Sequence, residues 1–206
     1  LSHMNWDKDN FRDTNIENYK LVAKKLSELG FYVVRMGAKV SSKFDLNDNK
    51  IIDYANSNLR SDFLDIYLGA KCTFCISTGL GFDDLATIFG RPLVLLANPL
   101  GSAGVNRDEA LILSKHHVLK KENKKLSISE IFSYGLAYAL DTKIFKEKGI
   151  ELVDNTPEEI RDTVVEMVEK IESKKKLNTQ EEELQKTFRN LFTLNADRYS
   201  SQKEVV

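Results

Sequence analysis

The sequence lacks a charge excess. Thirty lysines and arginines stand against thirty-one aspartates and glutamates, a net charge of -1 over 206 residues. No long-range field therefore draws the molecule to nucleic acid or to an anionic membrane. It also lacks an opening signal peptide and any uninterrupted apolar run of membrane-spanning length, so a soluble, cytoplasmic domain is expected. Cysteine is scarce: Cys72 and Cys75 are the only two. They form a C-x-x-C pattern within CTFCIST, which reads as a strand, where positions three apart point to opposite faces. A redox pair normally opens a helix and a structural zinc site needs two further ligands, so buried structural thiols are expected.

Histidine is equally scarce. Of three, one lies in Leu1-Ser2-His3-Met4, a stretch resembling the remnant of a cleaved purification tag. His116 and His117 diverge on any regular backbone and have no third ligand at persuasive spacing, so no metal is expected and they read as surface groups beside a basic loop. Missing too are the G-x-G-x-x-G dinucleotide fingerprint, the G-x-x-x-x-G-K-[ST] phosphate loop, the G-x-S-x-G elbow and any assignable serine-histidine-aspartate set.

What is present is a repeated change of hydrophobic period. Thr14 and Glu17 have capping-box spacing, followed by Tyr19, Val22, Ala23, Leu26 and Leu29 on one helical face, and Gly30 ends the run. FYVVRM then reads as a buried strand from Phe31 to Met36, and IIDYA as a second strand-like run from Ile51. Ser61 caps a helix that Gly69 is expected to stop. The strand Cys72–Ser77, a glycine turn, a helix near Phe82 to Phe89 and the strand Pro92–Ala97 make a strand–helix–strand unit with parallel neighbours. ALILS fits a short strand or a helical turn, KHHVLKKENKK a solvated basic linker, and NPLGSAGVNRDE a loop. Ser127 with Glu130, and Thr156 with Pro157 and Glu159, open two further helices; IELV precedes the second as a short strand. The lysines Lys174–Lys176 suit that helix's C-terminal end. A last helix from about Thr179 to Phe192 offers Leu184, Phe188, Leu191 and Phe192, and the chain beyond Arg198 is expected to fray.

The fold class is α/β: a three-layer, Rossmann-like arrangement on a mostly parallel sheet, with the strands starting at Phe31, Cys72 and Pro92 in one sheet. One domain is expected over 5–173 and a helical extension over 174–206. Phe188 and Phe192 would offer a surface for a homo-oligomer or for a further domain.

In a parallel sheet ligands lie beyond the C-terminal strand ends, which here are Arg35-Met36-Gly37, Ser77-Thr78-Gly79-Leu80-Gly81 and Asn98. Gly79 and Gly81 would let backbone approach a phosphate or sugar, with Ser77 and Thr78 as hydroxyl donors. Equally, they would permit a tight strand-to-helix turn that Ser77 or Thr78 caps. Asp83 and Asp84 in the first helical turn would compete with a phosphate there. Arg35 would fork hydrogen bonds to phosphate, or pair internally with Asp53 or Asp65. Gly37 would admit a ligand or a neighbouring loop.

Taken together, NIENYKLVAKKLSELGFYVVRMG, IIDYANSNLRSDFLDIYLGAKCTFCISTGLG, IFGRPLVLLAN, the K-x-L-S-I-S-E-I stretch around Leu126 to Ile131 and GIELVDNTPEEI resemble a bacterial surface-carbohydrate glycosyltransferase family with two-Rossmann-domain, GT-B-like architecture. The resemblance spans roughly Asn15 to Ile171 and is to the C-terminal, donor-binding half. It implies a nucleotide sugar as donor substrate, no other cofactor, and a glycan acceptor supplied across the cleft by a missing or separate N-terminal half. It assigns Arg35, Ser77, Thr78, Gly79 and Gly81 to the diphosphate region and Asn98 to the cleft rim; Gly37 and Asp53 complete the expected substrate-binding set.

Overall fold

The computed structural model describes residues 11–79, 81–98, 100, 110–173 and 177–194. The tag-like start, Leu80, most of the Pro99–Glu109 loop, the Lys174–Lys176 run and the end beyond Arg198 lie outside the described residues.

The first helix is entered through a 3-10 turn, Ile16–Tyr19, that leads into α1 (Lys20–Glu28). Its cap is Asn15 rather than Thr14: Asn15 Oδ1 accepts from the Glu17 amide at 3.0 Å. The Thr14 hydroxyl instead donates to Asp154 Oδ2 at 3.3 Å, 140 residues away. A tertiary carboxylate has taken the side chain that local spacing marked as a cap.

The strand expected over Phe31–Met36 is shorter. β1 (Val33–Val34) pairs in parallel with β2 (Ile51–Ile52), and bonds from Val33 N to Lys50 O (2.8 Å) and Arg35 N to Ile52 O (2.9 Å) carry the pairing past both ends. This two-stranded ladder is separate from the one that contains the next strands, which corrects the expectation of one common sheet: the segment that returns from the polar 37–49 stretch, not a later strand, takes the edge of β1.

α2 (Asp62–Lys71) is capped as expected, Ser61 Oγ accepting from Leu64 N at 3.3 Å. Gly69 does not stop it. It lies buried inside the helix, where an added Cβ would sit 3.0 Å from the Leu85 Cβ of α3 (Phe82–Ile88), so the glycine serves close helix approach instead of termination. Because α2 runs to Lys71, Cys72 is its C-cap and β3 begins only at Cys75 (Cys75–Ser77). Both cysteines are free, and Cys75 is buried.

β3, β4 (Leu93–Asn98) and β5 (Ala110–Ser114) form a parallel ladder in that order, which resolves ALILS as strand. Successive β4 residues enter opposite clusters. Val94 and Leu96 join Val22 and Leu26 of α1 with Ile160, Val164, Met167 and Val168 of α6 (Pro157–Ser173). Leu93 and Leu95 join Cys75 and Ala86.

The basic stretch is not a solvated linker. β6 (His116–Leu119) pairs antiparallel with β7 (Lys124–Lys125) and with β8 (Ile150–Val153), and His117 is 1% exposed. α4 (Ile128–Ser133) opens on the Ser127–Glu130 capping box, and α6 on hydrogen bonds from Thr156 N to Glu159 Oε2 and from Glu159 N to Thr156 Oγ1. α4, α5 (Thr142–Glu147) and β8 enclose a cluster of Phe11, Ile131, Phe132, Leu136, Phe145 and Ile150. Onto it packs α7 (Thr179–Leu194) through Phe188, Leu191 and Phe192, the Phe132 and Phe192 rings meeting at 4.9 Å. The two phenylalanines expected to offer an association surface pack, partly buried, against this cluster. The result is a mixed α/β molecule with small, mostly parallel sheets.

Candidate functional site

Parallel pairing of β3, β4 and β5 brings their C-terminal ends to one edge. Ser77, Thr78 and Gly79 leave β3 there, Asn98 closes β4 opposite Ser114, and Lys115 follows β5. Gly79 and Gly81 both take left-handed backbone, φ +76° and +87°, the region glycine enters without steric cost. That conformation folds the turn onto its own side chains. Ser77 Oγ accepts from Gly79 N at 3.0 Å and donates to Asp83 Oδ1 at 3.0 Å, and the same carboxylate oxygen accepts from Gly81 N at 3.1 Å. Gly81 is the N-cap position of α3, so neither Ser77 nor Thr78 caps it. The Gly79 and Gly81 amides, which would have faced a phosphate, are occupied by the Ser77 hydroxyl and by the Asp83 carboxylate of α3.

Arg35 and Asp53 come together. Arg35 Nη1 donates to Asp53 Oδ1 at 3.1 Å and to Ser42 O at 2.8 Å, with the two side chains 12% and 16% exposed. Asp53 Oδ2 also accepts from Phe44 N at 2.8 Å and Asn56 Nδ2 at 2.5 Å. Burial alone would raise the Asp53 carboxyl; the bonds from Asn56, Phe44 and Arg35 outweigh it and hold it below the usual range. The pair fastens the 42–44 loop to the turn after β2. Asp65 is engaged elsewhere, with Arg60 at 2.7 Å. At Gly37 the close neighbour is the loop: a Cβ there would meet Val40 Cγ1 at 2.8 Å.

Two groups at this edge escaped sequence reasoning. Arg12 Nη1 donates to Gly79 O at 3.1 Å, its guanidinium 5.4 Å from the Phe11 ring centre. Lys115, only 5% exposed, pairs with Asp154 Oδ1 at 2.8 Å and donates to Asp13 O. Residues 11–15 thus form a strap. Phe11 is buried and its amide donates to Thr142 Oγ1 at 3.1 Å. Arg12 reaches the end of β3, Asp13 the end of β5, and Thr14 and Asn15 the Asp154 carboxylate after β8. No periodicity marks NFRDTN, and the contact from Arg12 to Gly79 spans 67 positions; only the folded chain shows it.

Beside the strap, His116 Nε2 lies 2.9 Å from Glu159 Oε2, and His117 Nδ1 donates to Lys115 O at 3.0 Å. His117 Nε2 is buried without a partner, and burial pushes the ring down to about 4. Among the described residues no three histidine, cysteine or acidic side chains converge to hold a metal ion. An open depression of about 800 Å³ lies away from this edge, between Lys24, Glu28 and the Asp45–Asn49 loop. Its carboxylates are used locally: Asp45 accepts from Asn47 N, and Asp48 from Lys50 N and the Ser27 hydroxyl. Among the described residues no helix is long and apolar enough to cross a membrane. Comparison of the chain with family models, with curated proteins and with solved structures finds no match.

Proposed function

We propose that the chain is the nucleotide-sugar-binding half of a glycosyltransferase of surface-polysaccharide biosynthesis, acting in the cytoplasm, with the β3–β4–β5 ladder as the centre of a three-layer Rossmann-like donor domain. One observation carries the reading: a parallel ladder that gathers Ser77-Thr78-Gly79, Asn98 and the Arg12 guanidinium at its C-terminal edge, where open parallel sheets receive ligands. The motif resemblance from Asn15 to Ile171 supports it. The donor would lie along this edge, and a separate N-terminal half would bring the glycan acceptor across the cleft. Transfer by this chain alone is expected to be slight.

The second reading is a non-catalytic Rossmann-like structural or recognition domain. The internal pairing of the turn amides with Ser77 and Asp83, and of Arg35 with Asp53, favours it. A ligand-observed magnetic-resonance screen over nucleosides, nucleoside diphosphates and their sugar conjugates separates the two. Selective signals for one nucleotide and its conjugate are expected. No binding at millimolar ligand overturns the donor reading in favour of the structural one.

A further inference from the structure

α2 is apolar on two sides. Its inward half holds Gly69, buried against Leu85 of α3, and the half-buried Leu64 and Leu68. Phe63, Ile66, Tyr67 and Ala70 have the i, i+3, i+4, i+7 spacing of a single stripe, and that stripe faces outward: Phe63 is 73% exposed, Ile66 48% and Tyr67 49%. Leu59, just before the helix, is 70% exposed. The Phe63 and Tyr67 rings stack on each other, centres 6.0 Å apart. A helix with apolar residues all round is one that packs on both sides, and the helix packed against α2 is α3, on the Gly69 side.

α3 extends the patch. Its Leu85 faces Gly69, and Ile88 and Phe89, three and four positions further along the same flank, are 73% and 44% exposed. Taking about 200 Å² for a fully exposed side chain of this size, the six residues leave about 700 Å² of apolar surface open on each copy. That exceeds the largest apolar patch of an ordinary monomer, about 300–600 Å². It approaches the roughly 800 Å² that each partner contributes to a stable interface of standard size.

From this arrangement we infer that α2 is the centre of a dimer contact, a second copy of the chain lying antiparallel across it on a two-fold axis that passes between Ile66 and Tyr67. The axis brings Phe63 of one copy level with Ala70 of the other, a ring beside a methyl, and does so twice. It sets the acidic first turn of each helix, with Asp62, alongside the last turn of the other, with Lys71, and opposes the two helix dipoles. A parallel pairing would put ring level with ring and Asp62 level with Asp62. The net charge of -1 leaves little long-range repulsion between copies. The contact is independent of the donor-site reading and goes beyond it.

Sedimentation equilibrium of the full chain, from micromolar to submillimolar concentration, tests the contact. The mass is expected to rise from the 23.5 kDa of one chain to twice that value and no further. Phe63→Glu, which puts a carboxylate on an exposed position at the middle of the patch, should weaken dimerisation about thirtyfold or more. Ala70→Trp fills the space that the facing Phe63 needs and should weaken it about tenfold; it carries the test if the glutamate variant does not fold, with urea unfolding as the control. Leu184→Glu, equally apolar and 63% exposed but on α7, should leave it within about twofold of the parent. A parent that stays monomeric, a mass that climbs past the dimer, or a dimer that ignores both Phe63→Glu and Ala70→Trp overturns the inference. So does a monomer that floats with phosphatidylcholine vesicles and is released by Phe63→Glu, which would assign the patch to lipid.

Discussion

At the scale of single residues, the groups with most physical consequence are buried charges and a buried imidazole. His117 is neutral in the fold, its pKa pushed to about 4 by burial. In the unfolded chain it titrates near 6.5, so between these values the unfolded state binds the extra proton and stability falls as pH falls. The full contribution is present above about 6.5 and is gone near pH 4, a loss of about 3 kcal/mol. Urea midpoints measured from pH 7 to pH 4.5 should therefore decline, and His117→Gln should flatten that decline; an equal slope in parent and variant would remove His117 as its source. Below that window Asp53, held under the usual carboxylate range, loses stability in the same direction. Asp53 accepts from Arg35, Phe44 N and Asn56, so its removal takes an acceptor from three donors, of which Arg35 and Asn56 keep Ser42 O. Asp53→Ala is expected to destabilise by about 3 kcal/mol and Arg35→Ala by about 1 to 2, since the carboxylate then keeps two partners. Denaturant titration of both variants checks the order. The pairing was legible as one of two alternatives, because an arginine closing an apolar strand needs a counter-charge; which carboxylate supplies it depended on where the 37–49 stretch returns the chain.

At the scale of elements, local chemistry was read well where a cap needs only its own neighbours. Ser61, Ser127 and Thr156 each cap as their spacing predicts. It was read wrongly where a distant partner intervened, as with Thr14, or where a helix packs against another. Gly69 shows the second case. A Cβ there already approaches the Leu85 Cβ to 3.0 Å, so Gly69→Leu must push α2 from α3 and is expected to cost about 2 to 3 kcal/mol. At Gly81 nothing lies within 4 Å of an added Cβ and only the φ of +87° resists, so Gly81→Ala should cost about 1 kcal/mol. Thermal unfolding of both separates packing from backbone strain. The last helix offers a third test. Phe192 meets Phe132, Tyr138 and Phe188 edge-on at 4.9, 6.0 and 5.1 Å. Phe192→Ala should lower stability by about 2 to 3 kcal/mol and speed amide exchange in Thr179–Leu194 ahead of the rest; unchanged exchange there would mean that the helix is held by other contacts.

At the scale of the whole molecule, a net charge of -1 at pH 7 leaves little electrostatic repulsion between copies, and the isoelectric point is near 6.4. Large apolar side chains also remain exposed on α2, Phe63 at 73% and Tyr67 at 49%. Solubility is expected to pass through a minimum near pH 6.4 and to rise on either side, a profile measurable by precipitation at fixed salt. A flat profile would assign any association to the apolar side chains instead of charge balance.

Composition and periodicity determined, by themselves, the mixed α/β class, the parallel β3–α3–β4 unit, most helix starts and the edge at which a ligand site should be sought. Those features follow from interactions within a few residues, or from a period that a short segment already displays. Tertiary structure alone decided that β1 pairs with β2 in its own ladder, that His117 and Lys115 are buried, and that Arg12 donates to the Gly79 carbonyl. Each depends on contacts between segments brought together by the path of the chain, with Arg12 and Gly79 separated by 67 positions. No local spacing encodes such a meeting; it exists only once the strands, the strap and the helices have taken their places.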